Sequence, residues 1–159
     1  MQIFEAISLT AIGWIALAVL VVTVFLQSVR FIPNTRVGIV EKRFSPRGSV
    51  ESGLIALNGE AGFQPEVLRG GWHLLVPFMY RVHSVPLVTI AQGKIGYLFS
   101  RDGRPLRPDQ ALAENTSACD FQDVRGFLTC GGQRGPQRQI LREGTYAINL
   151  AQFVVLTAS

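Results

Sequence analysis

The side chains able to do chemistry are few and scattered. His73 and His83 each stand inside an apolar run, and a metal would need Cys, His or carboxylate partners at ligand spacing that the neighbouring sequence does not offer. Cys119 and Cys130 belong to no C-x-x-C and to no Cys/His quartet, so two reduced thiols or one disulfide both fit; neither has a local charge that would make it a thiolate. Asp120 and Asp123 are spaced to face one side of a helix as an acid pair, although acidic residues equally suit a solvated first turn, the preferred reading. The glycine-rich stretch GGQRG, residues 131–135, suggests a phosphate cradle but lacks the G-K-[ST] ending of a P-loop and reads better as a surface turn. No G-x-S-x-G elbow accompanies a Ser-His-Asp order. No catalytic, metal or cofactor-binding set is therefore expected, and the chain is not expected to be an enzyme. A membrane-tethered enzyme whose site is assembled from unconnected residues stays as the alternative of another class.

The elements around these residues are more telling. From Ile7 to Val29 no residue is charged, and at about 1.5 Å per residue the run exceeds the roughly 30 Å hydrocarbon core of a bilayer. A cleaved signal peptide wants a basic start, a shorter apolar run and a small-x-small site; this chain has Glu5 before the run and RFIPNTR after it. Residues 1–30 are thus expected to form a transmembrane anchor and 31–159 one small β-rich domain, α+β in class. Arg30, Arg36, Lys42, Arg43 and Arg47 come after the run and, by the positive-inside rule, place the domain in the cytoplasm beneath the cell's inner membrane.

Formal net charge is +4, carried by thirteen arginines and two lysines against eleven acids. The arginines are spread singly, without the basic and aromatic interleaving of a nucleic-acid groove, so nucleic-acid binding is not expected. A basic domain beside a membrane meets anionic headgroups, each worth roughly 1 kcal/mol per nearby Arg or Lys.

Beyond Arg36 short apolar runs alternate with Gly and Pro, the strand signature. Strands are predicted near 37–44, 53–57, 71–76, 81–90, 94–99 and 145–157, with a short helix capped by Asp109 through Ala113 and a second starting at Asp120. The sequence also echoes itself. Phe44-Ser45-Pro46-Arg47-Gly48 recurs as Phe99-Ser100-Arg101-Asp102-Gly103, and Leu68-Arg69-Gly70-Gly71 as Leu141-Arg142-Glu143-Gly144. The two offsets differ, so the second unit must carry an insertion, which the polar stretch 107–128 supplies.

The aromatics of LRGGWHLLVPFMY, residues 68–80, admit two readings. Trp72, Leu75, Phe78 and Tyr80 are the candidate membrane contacts, dipping with Leu74, Val76 and Met79 into the headgroup boundary. The preferred reading packs the segment into the domain's own core, since a strand apolar on both faces suits burial.

Taken together, the anchor, IPNTRVGIVEKRF and LRGGWHLLVPFMYRVHSVPL resemble the start of the SPFH or Band 7 domain of the stomatin, prohibitin, flotillin and HflK/C family. The family's P-x-x-x-V-G-I-V strand is matched by Pro33, Val37, Gly38, Ile39 and Val40, and its G-x-H-x-x-x-P-F segment by Gly71, His73, Pro77 and Phe78. Residues 119–155 are similar to the long flotillin-like bacterial members. The resemblance implies an SPFH-like fold and a scaffold that oligomerises on the bilayer and organises membrane microdomains, with no cofactor. It also implies, as an alternative, an accessory subunit of a membrane protease or transporter. Members of the family continue into a long coiled coil, so the domain is expected to be incomplete at Ser159.

Overall fold

The computed structural model describes residues 2–115 and 121–158, with side chains from residue 11 onward. Helix α1, Gln2–Ser28, takes up most of the apolar run. Its stretch Ala11–Ser28 is long and apolar enough to cross a membrane, and none of it is buried against the rest of the chain. The helix stops short of Pro33, and the carbonyl of Ser28 accepts from Leu75 N at 2.9 Å. The chain passes directly into a strand, with no intervening linker.

Beyond α1 the chain is mixed, strand-rich, and built twice. The first unit holds β1 Val29–Ile32, β2 Arg36–Lys42, β3 Gly62–Leu68, β4 Gly71–Leu74 and β5 Tyr80–Pro86. After Leu87 the second holds β6 Val88–Ile90, β7 Ile95–Ser100, helix α2 Val124–Thr129, β8 Gly135–Pro136, β9 Gly144–Tyr146 and β10 Phe153–Ala158. In each unit the first strand pairs antiparallel with the fourth, and the second lies between the third and the fifth.

The register is the same residue for residue. Phe31 faces Trp72 and Ile32 faces Gly71; Thr89 faces Thr145 and Ile90 faces Gly144. Lys42 lies between Gly62 and Tyr80, as Ser100 lies between Gly135 and Phe153. Side chains repeat too: Gln64 Nε2 donates to the carbonyls of Glu60 and Gly62, and Gln137 Nε2 to those of Gln133 and Gly135. A Cβ on Gly38 would come within 2.6 Å of Ile32 and 3.3 Å of Leu68; one on Gly96 would come within 2.9 Å of Ile90 and 3.3 Å of Leu141. Each glycine thus lets the isoleucine of the first strand cross tightly over the second strand.

The L-R-x-G echo is in register: Leu68 faces Gly38 as Leu141 bridges Gly96. The F-S-x-x-G echo is not, because Phe44 lies beyond β2 while Phe99 sits inside β7 opposite Val154. The second unit's extra residues fall between Ala113 and Gly135, whose counterparts are Ala56 and Gly62; Ala56 N and Ala113 N make the same bond, to Phe63 O and Pro136 O.

That insertion closes the core. Asp123 caps α2 by accepting from Gly126 N at 2.9 Å. Phe121 and Phe127 meet Phe153 edge-on, with ring centroids 5.3 and 5.1 Å away, among Ile39, Ile90, Leu98, Val124, Leu141 and Ile148. The two units share this core, and Asn149, fully buried, ties them by donating to the carbonyls of Gln64 and Pro65. Arg125 of α2 donates to Glu66 Oε1 and to the carbonyl of Leu57; the bond to Glu66 holds its pKa above the ordinary arginine value.

Several predicted elements are corrected. Stretch 53–57 is no strand but a bend with a single bridge, Ile55 to Phe63, held by Asp102, whose carboxylate accepts from Leu54 N (2.8 Å), Ile55 N (3.3 Å) and Gly103 N (2.8 Å). Asp102→Ala is expected to lower stability by about 1–3 kcal/mol, because backbone donors are left without partners; the midpoint of urea unfolding checks it. The Asp109–Ala113 helix is a turn, in which Gln110 bonds Leu112 O and the Gln133 side chain instead. Stretch 81–90 breaks at Leu87, and 145–157 divides into β9 and β10 around a buried turn. β1 occupies the tail of the run expected to be helix. β3 was not expected; its Pro65 is tolerated because β3 is an edge strand and its register with β2 shifts between Ile39 and Glu41. Asp120, the expected helix start, and Cys119 lie outside the described residues.

Candidate membrane-contact site

Successive strand residues point to opposite faces, so Val29 and Phe31 of β1 share a face with their partners Leu74 and Trp72 of β4. The Phe31 and Trp72 rings lie 5.0 Å apart. None of the described residues covers this ribbon: Phe31 is exposed, and Trp72 and Leu74 are 74% and 71% exposed. The loop from β4 to β5 extends the surface with exposed Val76 and Phe78. Phe78 is held at φ 66°, a left-handed conformation that a bulky residue adopts at a cost of order 1–3 kcal/mol.

The core placement preferred for residues 68–80 is thereby corrected. Of the four candidates, Trp72 and Phe78 are exposed, while Leu75 and Tyr80 are half-buried at the mouth of a groove. The duplicate explains why. Leu75, Phe78 and Tyr80 correspond to Ile148, Ala151 and Phe153, which are 1%, 6% and 0% exposed. In the second unit Phe121 and Phe127 of the insertion cover that surface; the first unit has no such insertion, and the same surface stays open. The ribbon face differs in kind as well, because Phe31 and Trp72 are replaced by Thr89 and Thr145.

The residues considered for catalysis do not converge. His73, on the other face of β4, bonds the carbonyl of Arg69 at 2.7 Å. His83 on β5 meets Glu41 on β2 at 2.7 Å and stacks near Phe63. Asp123 is the helix cap and Cys130 is an exposed thiol at the end of α2; the surface turn expected over residues 131–135 is confined to Gly131, since Gly132 is buried, Gln133 bridges Arg104 and bonds Gln110, and Gly135 opens β8. Among the described residues no group of three His, Cys, Asp or Glu could hold a metal.

Val29 and Phe31 belong to this face but were not among the candidates, whereas Leu74, expected to dip in beside them, lies on it. Phe31 and Val29 were hidden in the end of the apolar run, and only strand pairing places them beside Trp72. No protein family, no curated protein and no solved structure matches this chain.

Proposed function

We propose that this chain is a single-pass, membrane-anchored scaffold of the SPFH or Band 7 kind, flotillin-like, that oligomerises and organises membrane microdomains. The observation that carries the reading is that the apolar ribbon Val29, Phe31, Trp72 and Leu74 occurs only in the unit that adjoins α1. Because β1 starts at the residue after α1, a four-residue strand of ~13 Å keeps that face at headgroup depth. In water such a patch would be an aggregation liability; against a bilayer it seats the domain. The cations beyond α1, from Arg30 to Arg47, orient the domain to the cytoplasm. Copies seated alike meet through heterologous contacts, which build rings or patches.

The test is the mass of the full chain extracted in mild detergent, measured by light scattering. A homo-oligomer many times the 17.4 kDa protomer is expected. A monomer, or a fixed complex with a membrane protease or transporter, contradicts the scaffold, and the complex would favour an accessory subunit. A defined turnover abolished by changing His73 or Asp123 would make the protein an enzyme. Intact mass of the same sample checks the anchor: α1 is expected to remain attached, whereas a cleaved signal sequence would remove it.

A further inference from the structure

The groove behind the ribbon has a volume of about 500 Å³ and runs from Gln27, at the foot of α1, to Ser84 on β5. Leu75, Val76 and Phe78 line it on the loop side, and Arg30, Arg43 and Arg81 line it as well. Among the described residues no acidic one does. Among the described residues none of the three arginines makes a side-chain ion pair. Such a lining is amphiphilic: apolar residues continuous with the face at the helix end, and the guanidinium groups of Arg30 and Arg43, each able to grip a phosphate with two parallel N–H donors, with Arg81 bordering the groove from β5, where Glu41 is its cross-strand partner.

The duplicate again separates what is architectural from what is particular. Arg43 corresponds to Arg101, and both backbones make the same bond, Arg43 N to Met79 O and Arg101 N to Gln152 O, each 2.8 Å. Arg30 and Arg81 correspond to Val88 and Val154. Both additional cations, like the uncovered apolar face, are therefore confined to the unit that meets the membrane. In the second unit the equivalent space holds protein: the buried turn around Asn149 and the Phe121 and Phe127 rings.

We infer that this groove binds the phosphodiester headgroup of an anionic phospholipid, with its acyl chains leaving past Leu75, Val76 and Phe78 beside α1. The inference deepens the membrane-seated reading and rests on it. Bound lipid would let the scaffold gather anionic lipid around itself, and the strained Phe78 would serve as the wall between headgroup and chains.

The test uses the full chain purified in neutral detergent, with lipid retention read by native mass spectrometry. Dioleoyl phosphatidylglycerol is expected to be retained at least tenfold more strongly than dioleoyl phosphatidylcholine. The double variant Arg43→Gln/Arg81→Gln should lose that preference, and Arg138→Gln/Arg142→Gln, exposed arginines of the second unit, should keep it. Arg30 is left intact because it also flanks the anchor. Equal retention of both lipids, or a preference that survives Arg43→Gln/Arg81→Gln, overturns the headgroup site. Displacement of the lipid by an equal concentration of inorganic phosphate overturns it in favour of a free anion. Quenching of Trp72 by brominated phosphatidylcholine in neutral nanodiscs reports the seating separately: if it persists without a lipid preference, only the headgroup site fails, and if it is absent the underlying reading fails.

Discussion

A chain carrying both Leu17→Arg and Val21→Arg is expected to leave the membrane fraction, whereas either change alone is expected to leave most of it there. Thirteen Leu, Ile, Val and Phe residues lie between Ile7 and Val29; at about −0.3 to −0.6 kcal/mol each they favour insertion by roughly 4–8 kcal/mol, and a central arginine opposes it by about 2.5–3.5 kcal/mol. One arginine leaves a net gain, and two cancel nearly all of it. Leu17 and Val21 are exposed and touch no domain residue, so the substitutions act on insertion and not on the fold. Alkaline carbonate extraction separates the outcomes: recovery of the double variant in the soluble fraction is expected. A double variant that still resists extraction would mean that α1 is not what holds the protein to the bilayer.

Phe127→Ala is expected to remove about 3–5 kcal/mol of domain stability. Its ring is fully buried, it meets Phe153 edge-on at 5.1 Å, and Gly132 packs against it so closely that a Cβ there would come within 2.5 Å. The neighbours cannot collapse into the vacated space, because the first turn of α2 is fixed by the Asp123 cap and by the bonds of Arg125 to Glu66 and Leu57. Against a typical net stability of 5–15 kcal/mol the loss is large. Urea unfolding followed by far-UV circular dichroism should show it as a lowered midpoint at unchanged slope, with Phe127→Leu intermediate. A loss below about 1 kcal/mol would mean that the insertion is a surface appendage and not the plug of the second unit's core.

The duplication was legible at its glycines. Gly71 and Gly144, both at strongly positive φ, open the fourth strand of each unit, and the L-R-x-G signature before them survives because few residues suit that turn. The F-S-x-x-G echo misled by a few residues, since a short motif does not carry strand register. The insertion was legible as a polar, helix-compatible break in a strand-rich chain, but its role was not: whether Phe121 and Phe127 cover Phe153 depends on contacts distant in sequence. The same limit explains the misplaced segment 68–80. Period and composition describe Leu75, Phe78 and Tyr80 and their counterparts Ile148, Ala151 and Phe153 alike as apolar. Only the presence of the insertion in one unit and its absence in the other separates an open face from a buried core. Pro65 hid β3, because a strand bearing proline is acceptable only once it is known to be an edge.

Seating of the first unit on the bilayer makes a direct demand on Trp72. The chain has two tryptophans, Trp14 within α1 and Trp72 on the ribbon, so a Trp14→Phe background leaves Trp72 as the sole reporter. In nanodiscs with phospholipids brominated at successive acyl positions, Trp72 fluorescence should be quenched most by bromine nearest the headgroup and little by bromine at the chain ends, and Thr145→Trp in a Trp14→Phe/Trp72→Phe background, at the matching position of the second unit, should not be quenched. Trp72 emission that ignores the brominated lipid and matches the second-unit probe would contradict the seated domain.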